Sequence, residues 1–312
     1  MTVLSDQSSA SSFRRALPSA SAPRFWTRPD GGTLAWDEFG DPAGFPLFYF
    51  HGWPSSRLQG GLIDGPARKR RLRVICPDRP GIGLSTLAPG RHLSDWPALL
   101  AAFADDLGVR EFSVLGVSGG GPYVLATVAA MPDRVRKAAV VCGAVPLAEL
   151  RDRREMIWAY RALMPFRRMP PWMLAPVFGL ARWISTFDPD ELPFSWFMKM
   201  VPPADRAAVL ENPQAWPALL GSFRESFRQG AAGVMTDAEI YFRPWGLDYA
   251  SIRYPIHYWH GGRDRNIPLS MARWLFDRLP EAEVHVSAEE GHYSVAIRKA
   301  EDVLEFLGEK SG

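Results

Sequence analysis

The chain has 312 residues, with 36 Lys and Arg against 34 Asp and Glu and a formal net charge of +2. So even a balance, without a zinc-finger, RNP or basic-helix pattern, argues against a nucleic-acid partner. Two cysteines, Cys76 and Cys142, lie in apolar strand-like runs with no metal-ligand spacing; no apolar run approaches the ~20 residues of a membrane span, and the N-terminus lacks a signal-peptide pattern, so a cytoplasmic protein is expected.

Residues 1–22 are Ser- and Ala-rich without apolar periodicity and read as a loose tail. Stretches 25–28 and 33–38 flank Pro29-Asp30-Gly31-Gly32, which predicts an antiparallel hairpin at a sheet edge. Six short, nearly all-apolar runs follow, at 46–50, 72–76, 112–115, 138–142, 256–259 and 284–286. Such runs are the pattern of strands buried on both faces. Helical stretches separate most of them, so the fold class is α/β, a doubly wound and mainly parallel sheet that binds ligands at the carboxyl ends of its strands.

One interval breaks the alternation. More than a hundred residues separate Cys142 from Ile256, where a single crossover needs a dozen or so. Residues 145–246 hold six of the twelve tryptophans and several proline-broken helical segments, and read as a helical cap over the strand ends. The expected division is therefore a tail (1–22), a core (23–144 and 247–312) and a cap (145–246). Between 156 and 187 the cap carries four arginines, no acid past Glu155, and many Met and aromatic side chains, which predicts an adaptable apolar lining.

The chemistry centres on Gly116-Val117-Ser118-Gly119-Gly120, between the apolar run 112–115 and the helical stretch 123–131. A strand that turns into a helix within about two residues strains its corner residue, and glycines at −2 and +2, here Gly116 and Gly120, remove the collisions. Ser118 is thereby held open to a base on one side and a substrate on the other, with the Gly119 amide facing a developing oxyanion. Serine needs a base, and the base an orienting acid. Of six histidines, His92 lies at a helix start and His257 and His285 within strands, while His51 and His260 each precede glycine at a strand end. His292, on the loop after the last strand, is the best base. Asp264, in the turn Gly261-Gly262-Arg263-Asp264, is the orienter, with Glu289 and Glu290 the fallback carboxylates. A second oxyanion donor is expected from the Trp53 amide in His51-Gly52-Trp53-Pro54, where Gly52 allows close approach and His51 holds the loop. The glycine-rich stretch Asp78 to Ser85 has no G-K-[ST] and reads as a structural rim.

These motifs together, with Pro268 and Gly291-His292, resemble the α/β-hydrolase superfamily of the serine-nucleophile kind with a cap, over about residues 25 to 310. The resemblance implies a Ser118, Asp264, His292 triad, an oxyanion hole from the Trp53 and Gly119 amides, and no cofactor or metal. Aspartate-nucleophile members that open epoxides or carbon–halogen bonds are not matched, because serine stands in that position. Carboxylic-ester hydrolysis is the commonest activity among the rest, but the fold also hosts lactonases, amidases, carbon–carbon hydrolases, cofactor-free perhydrolases and non-catalytic binders. The expected partner is a small apolar ester-like molecule, with no nucleic acid and no membrane contact.

Overall fold

The computed structural model describes residues 22–150, 161–162, 173, 175–184, 186–187 and 201–309. The expected tail and most of the stretch 156–187 lie outside the described residues. The strands are β1 (Arg24–Thr27), β2 (Thr33–Gly40), β3 (Phe45–Phe50), β4 (Leu72–Pro77), β5 (Phe112–Val117), β6 (Val135–Val141), β7 (Ile256–Gly261) and β8 (Ala282–Ser287). They form one sheet in the order β1-β2-β4-β3-β5-β6-β7-β8. The β1–β2 and β2–β4 pairs are antiparallel and all later pairs are parallel.

Side-chain alternation sorts the central strands onto two buried faces. Phe48 and Phe50 point to one face with Ile75, Phe112 and Val114; Leu47 and Tyr49 point to the other with Val74, Leu115 and Val141. Helices cover both. On the first face, α2 (Trp96–Asp106) buries Trp96, Leu100, Phe103 and Ala104, one stripe at helical spacing. Phe103 packs its ring 5.5 Å from Trp36 and 5.9 Å from Phe48. On the second face, α10 (Ala300–Gly308) buries Ala300, Val303, Leu304 and Leu307. Each such large apolar side chain stabilises the fold by ~1.5–3 kcal/mol when fully buried. The remaining described α-helices are α1 (Asp64–Lys69), α3 (Gly121–Ala130), α4 (Ala175–Ile184), α5 (Pro203–Glu211), α6 (Ala215–Ser226), α7 (Ala232–Phe242), α8 (Leu269–Phe276) and α9 (His292–Arg298). Helices α4 to α7 all fall between β6 and β7, in the interval too long for one crossover.

The run 284–286 is a strand but is not buried on both faces. Val284 is 38% and Val286 45% exposed, because β8 is the sheet edge and pairs only with β7. Three apolar-flanked residues do not reveal whether a strand is covered.

The register places the loops that carry the expected site residues at one end. Phe50 pairs with Gly116, Val117 with Val141, and Val141 with Trp259. The chain therefore leaves β3, β5, β6 and β7 in one row, and His51, Ser118, Cys142 and the 261–264 turn emerge side by side. Among the described residues, no helix is long and apolar enough to cross a membrane.

Candidate active site

β5 is buried along its whole length and stops at Ser118, whose φ of 52° lies in the left-handed region. A non-glycine residue there stores on the order of 1–3 kcal/mol. The turn closes because its neighbours lack side chains: a Cβ on Gly120 would lie 2.0 Å from the Phe50 carbonyl oxygen, and one on Gly116 would lie 2.5 Å from the Gly120 carbonyl oxygen. The chain then enters α3 with Pro122 in its first turn, where the missing N–H is harmless. Ser118 remains partly exposed, and its carbonyl accepts from the Ala144 amide at 2.8 Å.

The loop after β3 approaches this turn closely. A Cβ on Gly52 would lie 3.5 Å from the Ser118 Cβ, and one on Gly119 would lie 2.8 Å from the Trp53 Cβ. The loop is held from behind by a buried arginine. Arg79 donates through Nη1 to the His51 carbonyl at 2.6 Å, through Nη2 to the Gly52 carbonyl at 2.7 Å, and through Nε to Asp237 at 2.7 Å. The Gly52–Trp53 peptide is planar, so its N–H points opposite to the carbonyl that Arg79 grips. Arg79 thus sets the direction of the Trp53 amide. His51 adds an Nδ1 contact to the Gly52 carbonyl at 2.9 Å; burial and the Arg79 charge hold its pKa well below the ordinary value, so it is neutral.

Asp237 comes from α7 and is fully buried. It also meets the Arg91 guanidinium and accepts from the Tyr123 hydroxyl at 3.2 Å. Burial disfavours its charge, but Arg79 and Arg91 prevail and hold its pKa down to about 2. One turn further, the Tyr241 hydroxyl donates to the Gly119 carbonyl at 2.9 Å. The Trp53 indole donates to the Val234 carbonyl at 2.9 Å, and its ring packs 5.6 Å from Tyr241 and 5.8 Å from Phe178 of α4. Helix α7 lies so near the 78–85 loop that a Cβ on Gly233 would sit 1.8 Å from the Gly81 carbonyl oxygen. Within that loop, the buried Asp78 accepts from Arg57 Nη1 at 2.7 Å and from the Leu84 amide at 3.1 Å, which fits the expected rim.

At the end of β7, Asp264 and His292 come together although 28 residues apart: Asp264 Oδ2 lies 2.7 Å from His292 Nδ1. A carboxylate accepts, so Nδ1 carries the proton and Nε2 is left with its lone pair. The other carboxylate oxygen accepts the Asn266 and Ile267 amides at 2.8 and 2.9 Å, which fixes its rotamer. Burial opposes both charges. For His292 the Asp264 charge prevails and raises its pKa; for Asp264 the His292 charge prevails and lowers its own. His260 lies 3.8 Å from Asp264 Oδ2, gives Nε2 to the Ile267 carbonyl at 2.9 Å, and is kept neutral chiefly by burial. Glu289 pairs with Arg263 and Glu290 with Arg298 at 3.1 Å.

The other histidines lie elsewhere. His92 starts a short helical turn and its amide donates to Asp95 at 2.7 Å, while His257 Nδ1 lies 3.2 Å from His285 Nε2 on the β7–β8 edge. Cys142 has φ 46° and a buried thiol that burial pushes well above the ordinary range; its Sγ lies 3.8 Å from the Gly291 carbonyl oxygen. Sequence reasoning missed Asp237, Tyr241 and the role of Arg79. The available signal was an acid inside a helix turn otherwise built from Val234, Ala238, Ile240 and Tyr241.

A family model described as the alpha/beta hydrolase family matches residues 47–306. The chain belongs to that family. This alpha/beta hydrolase is 26% identical over 279 residues to the 2-hydroxymuconate semialdehyde hydrolase of Pseudomonas sp. (strain CF600), covering 86% of this chain and 88% of that one. With the protein of the same description from Pseudomonas putida the identity is 28%, covering 85% and 88%. Among solved structures, an esterase from Rhodococcus sp. ECU1013 superposes with a TM-score of 0.64 at 21% identity, covering 93% of this chain and 100% of that one, a likeness of fold.

Proposed function

We propose that this hydrolase cleaves carboxylic esters of small to medium apolar substrates through an acyl-enzyme on Ser118. The observation that carries the reading is the 2.7 Å bond between buried Asp264 and His292, at the same sheet end as a serine held at φ 52°. His292 Nε2 takes the Ser118 proton as the oxygen attacks the acyl carbonyl. The oxyanion is held by the Trp53 and Gly119 amides, each contributing ~3 kcal/mol in the transition state. The imidazolium, stabilised by Asp264, protonates the leaving alcohol, and water repeats the cycle to release the acid.

Residues 145–246 act as a cap in this reading, and Phe178 against Trp53 supports an apolar wall beside the oxyanion loop. Two buried free thiols, Cys76 and Cys142, fit a reducing compartment such as the cytoplasm. Treatment with a fluorophosphonate followed by peptide mapping, beside a panel of p-nitrophenyl esters, tests the proposal. Labelling of Ser118 with ester turnover is expected; a wild-type protein that neither labels nor turns over any ester would sink it. The two Pseudomonas relatives make 2-hydroxymuconate semialdehyde the second substrate to assay.

A further inference from the structure

We propose that Asp205 is a positioning residue that clamps the main chain of His292 from the helical insertion. This rests on reading His292 as the base. Asp205 lies in α5, is 1% exposed, and sends its carboxylate across 87 residues of sequence. Its Oδ1 accepts the amides of Tyr293 at 2.9 Å and Ser294 at 2.8 Å, and its Oδ2 accepts the amide of His292 itself at 3.2 Å.

These amides open α9, and the first N–H groups of a helix have no partner within it. A local N-cap side chain would normally satisfy one of them. Gly291 stands at that position and has none; Ser294 turns its hydroxyl back to the Gly291 amide at 2.7 Å instead. Gly291 is also the residue that lets the acid in. A Cβ there would lie 2.5 Å from Asp205 Oδ1 and 2.6 Å from Oδ2. The base is therefore held twice from different parts of the chain, by Asp264 on its ring and by Asp205 on its backbone. A shift of about 1 Å in a reacting group lowers a rate by ~100-fold, so a grip on the His292 main chain is a grip on turnover.

Charge adds a second consequence. Among the described residues, the titratable groups that face His292 are Asp264 and neutral His260 from β7 and its following turn, protonated Cys142 from the end of β6, and Asp205 from α5. The Asp264 and Asp205 carboxylates both favour the imidazolium.

The test uses the full-length chain with Asp205→Ala and Asp205→Asn, a short p-nitrophenyl ester, the pH profile of kcat/KM, and NMR titration of the His292 imidazole. For Asp205→Ala, kcat per fluorophosphonate-reactive molecule should fall by ~30- to 100-fold with KM nearly unchanged. Asp205→Asn keeps one acceptor oxygen and should restore much of kcat. In both variants the acid limb and the His292 titration should move to lower pH. A helix-stabilising residue alone would lower Tm and leave both pH readouts in place, and that result overturns the proposal. So does an Asp205→Ala enzyme with wild-type kcat. Should the alanine variant not fold, a folded Asp205→Asn with wild-type His292 titration overturns it equally. If wild-type protein proves inert to esters and fluorophosphonate, the esterase reading fails, while the His292 titration still decides the clamp.

Discussion

Arg79 binds the carbonyl of Gly52 at 2.7 Å, and through that one peptide it aims the amide of Trp53. Arg79→Met should remove the grip while keeping most of the side-chain volume. Losing one well-directed oxyanion donor costs about 3 kcal/mol, so kcat for esters should fall by ~100-fold with KM little changed. Arg79→Lys should not rescue it, because one ammonium does not reproduce a planar fork reaching two carbonyls and a carboxylate. Wild-type kcat in either variant would separate the loop geometry from turnover.

Asp237→Asn leaves Arg79 and Arg91 buried without an anion, and breaking such a group should destabilise the fold by ~3–5 kcal/mol at pH 7. The sign of the pH dependence follows from an acid whose folded pKa is held down to about 2, below its ordinary 3.8. Its stabilisation is complete above the ordinary value and is lost as pH falls toward 2. The difference between wild type and variant in urea unfolding should thus shrink by ~1 kcal/mol between pH 7 and pH 3. An undiminished difference at pH 3 would show that charge is not what Asp237 contributes.

Ser118→Ala and His292→Ala should each abolish nearly all ester turnover with the fold intact, and the double variant should be little worse than either. Retention of half the wild-type rate by Ser118→Ala would end the assignment. In the proposed mechanism His292 must be neutral to act, and its pKa is raised above the ordinary 6.5, so kcat/KM should fall as pH drops through a value above 6.5. Asp264→Asn removes the largest of the charges that raise it and should shift that limb downward, with a large loss of rate because the amide favours the wrong tautomer.

Lengthening the acyl chain of a simple ester from two to about six carbons should raise kcat/KM, each buried methylene contributing up to ~0.8 kcal/mol. Phe178→Ala, which strips the α4 ring from Trp53, should flatten that preference and spare labelling of Ser118. A steady decline from acetate upward would indicate a small or polar pocket.

Much of this was legible in the chain because it depends on local rules. The apolar runs at 46–50, 72–76 and 112–115 each fall inside an observed strand, and the Gly116 to Gly120 spacing reports a turn that only small residues can close. Asp264 and His292 were visible as polar residues just after apolar strands. Exposure of β8 was not, since burial of an edge depends on what lies beside it rather than on its own residues. Asp205, Arg79 and Asp237 were hidden for a related reason. Their partners lie 87, 27 and 158 residues away, and a charged residue on a helix or in a loop reads as solvent-facing until the tertiary fold supplies its counterpart.

Gly233 resting on the Gly81 carbonyl carries a lesson for anyone recombining this protein with others. The obvious graft would exchange residues 145–246 as a block to import another specificity. That exchange removes Asp237 and Tyr241 together with the glycine that lets their helix sit down, and it strands Arg79 as a buried cation behind the loop it is meant to steady. A junction cut before Ala232 keeps α7 with the sheet. Grafts made there should keep the Arg79–Asp237 grip on the loop after β3, provided that they also carry Asp205, which holds the His292 amide, and Ser222, whose hydroxyl meets Ser55 and Ser56.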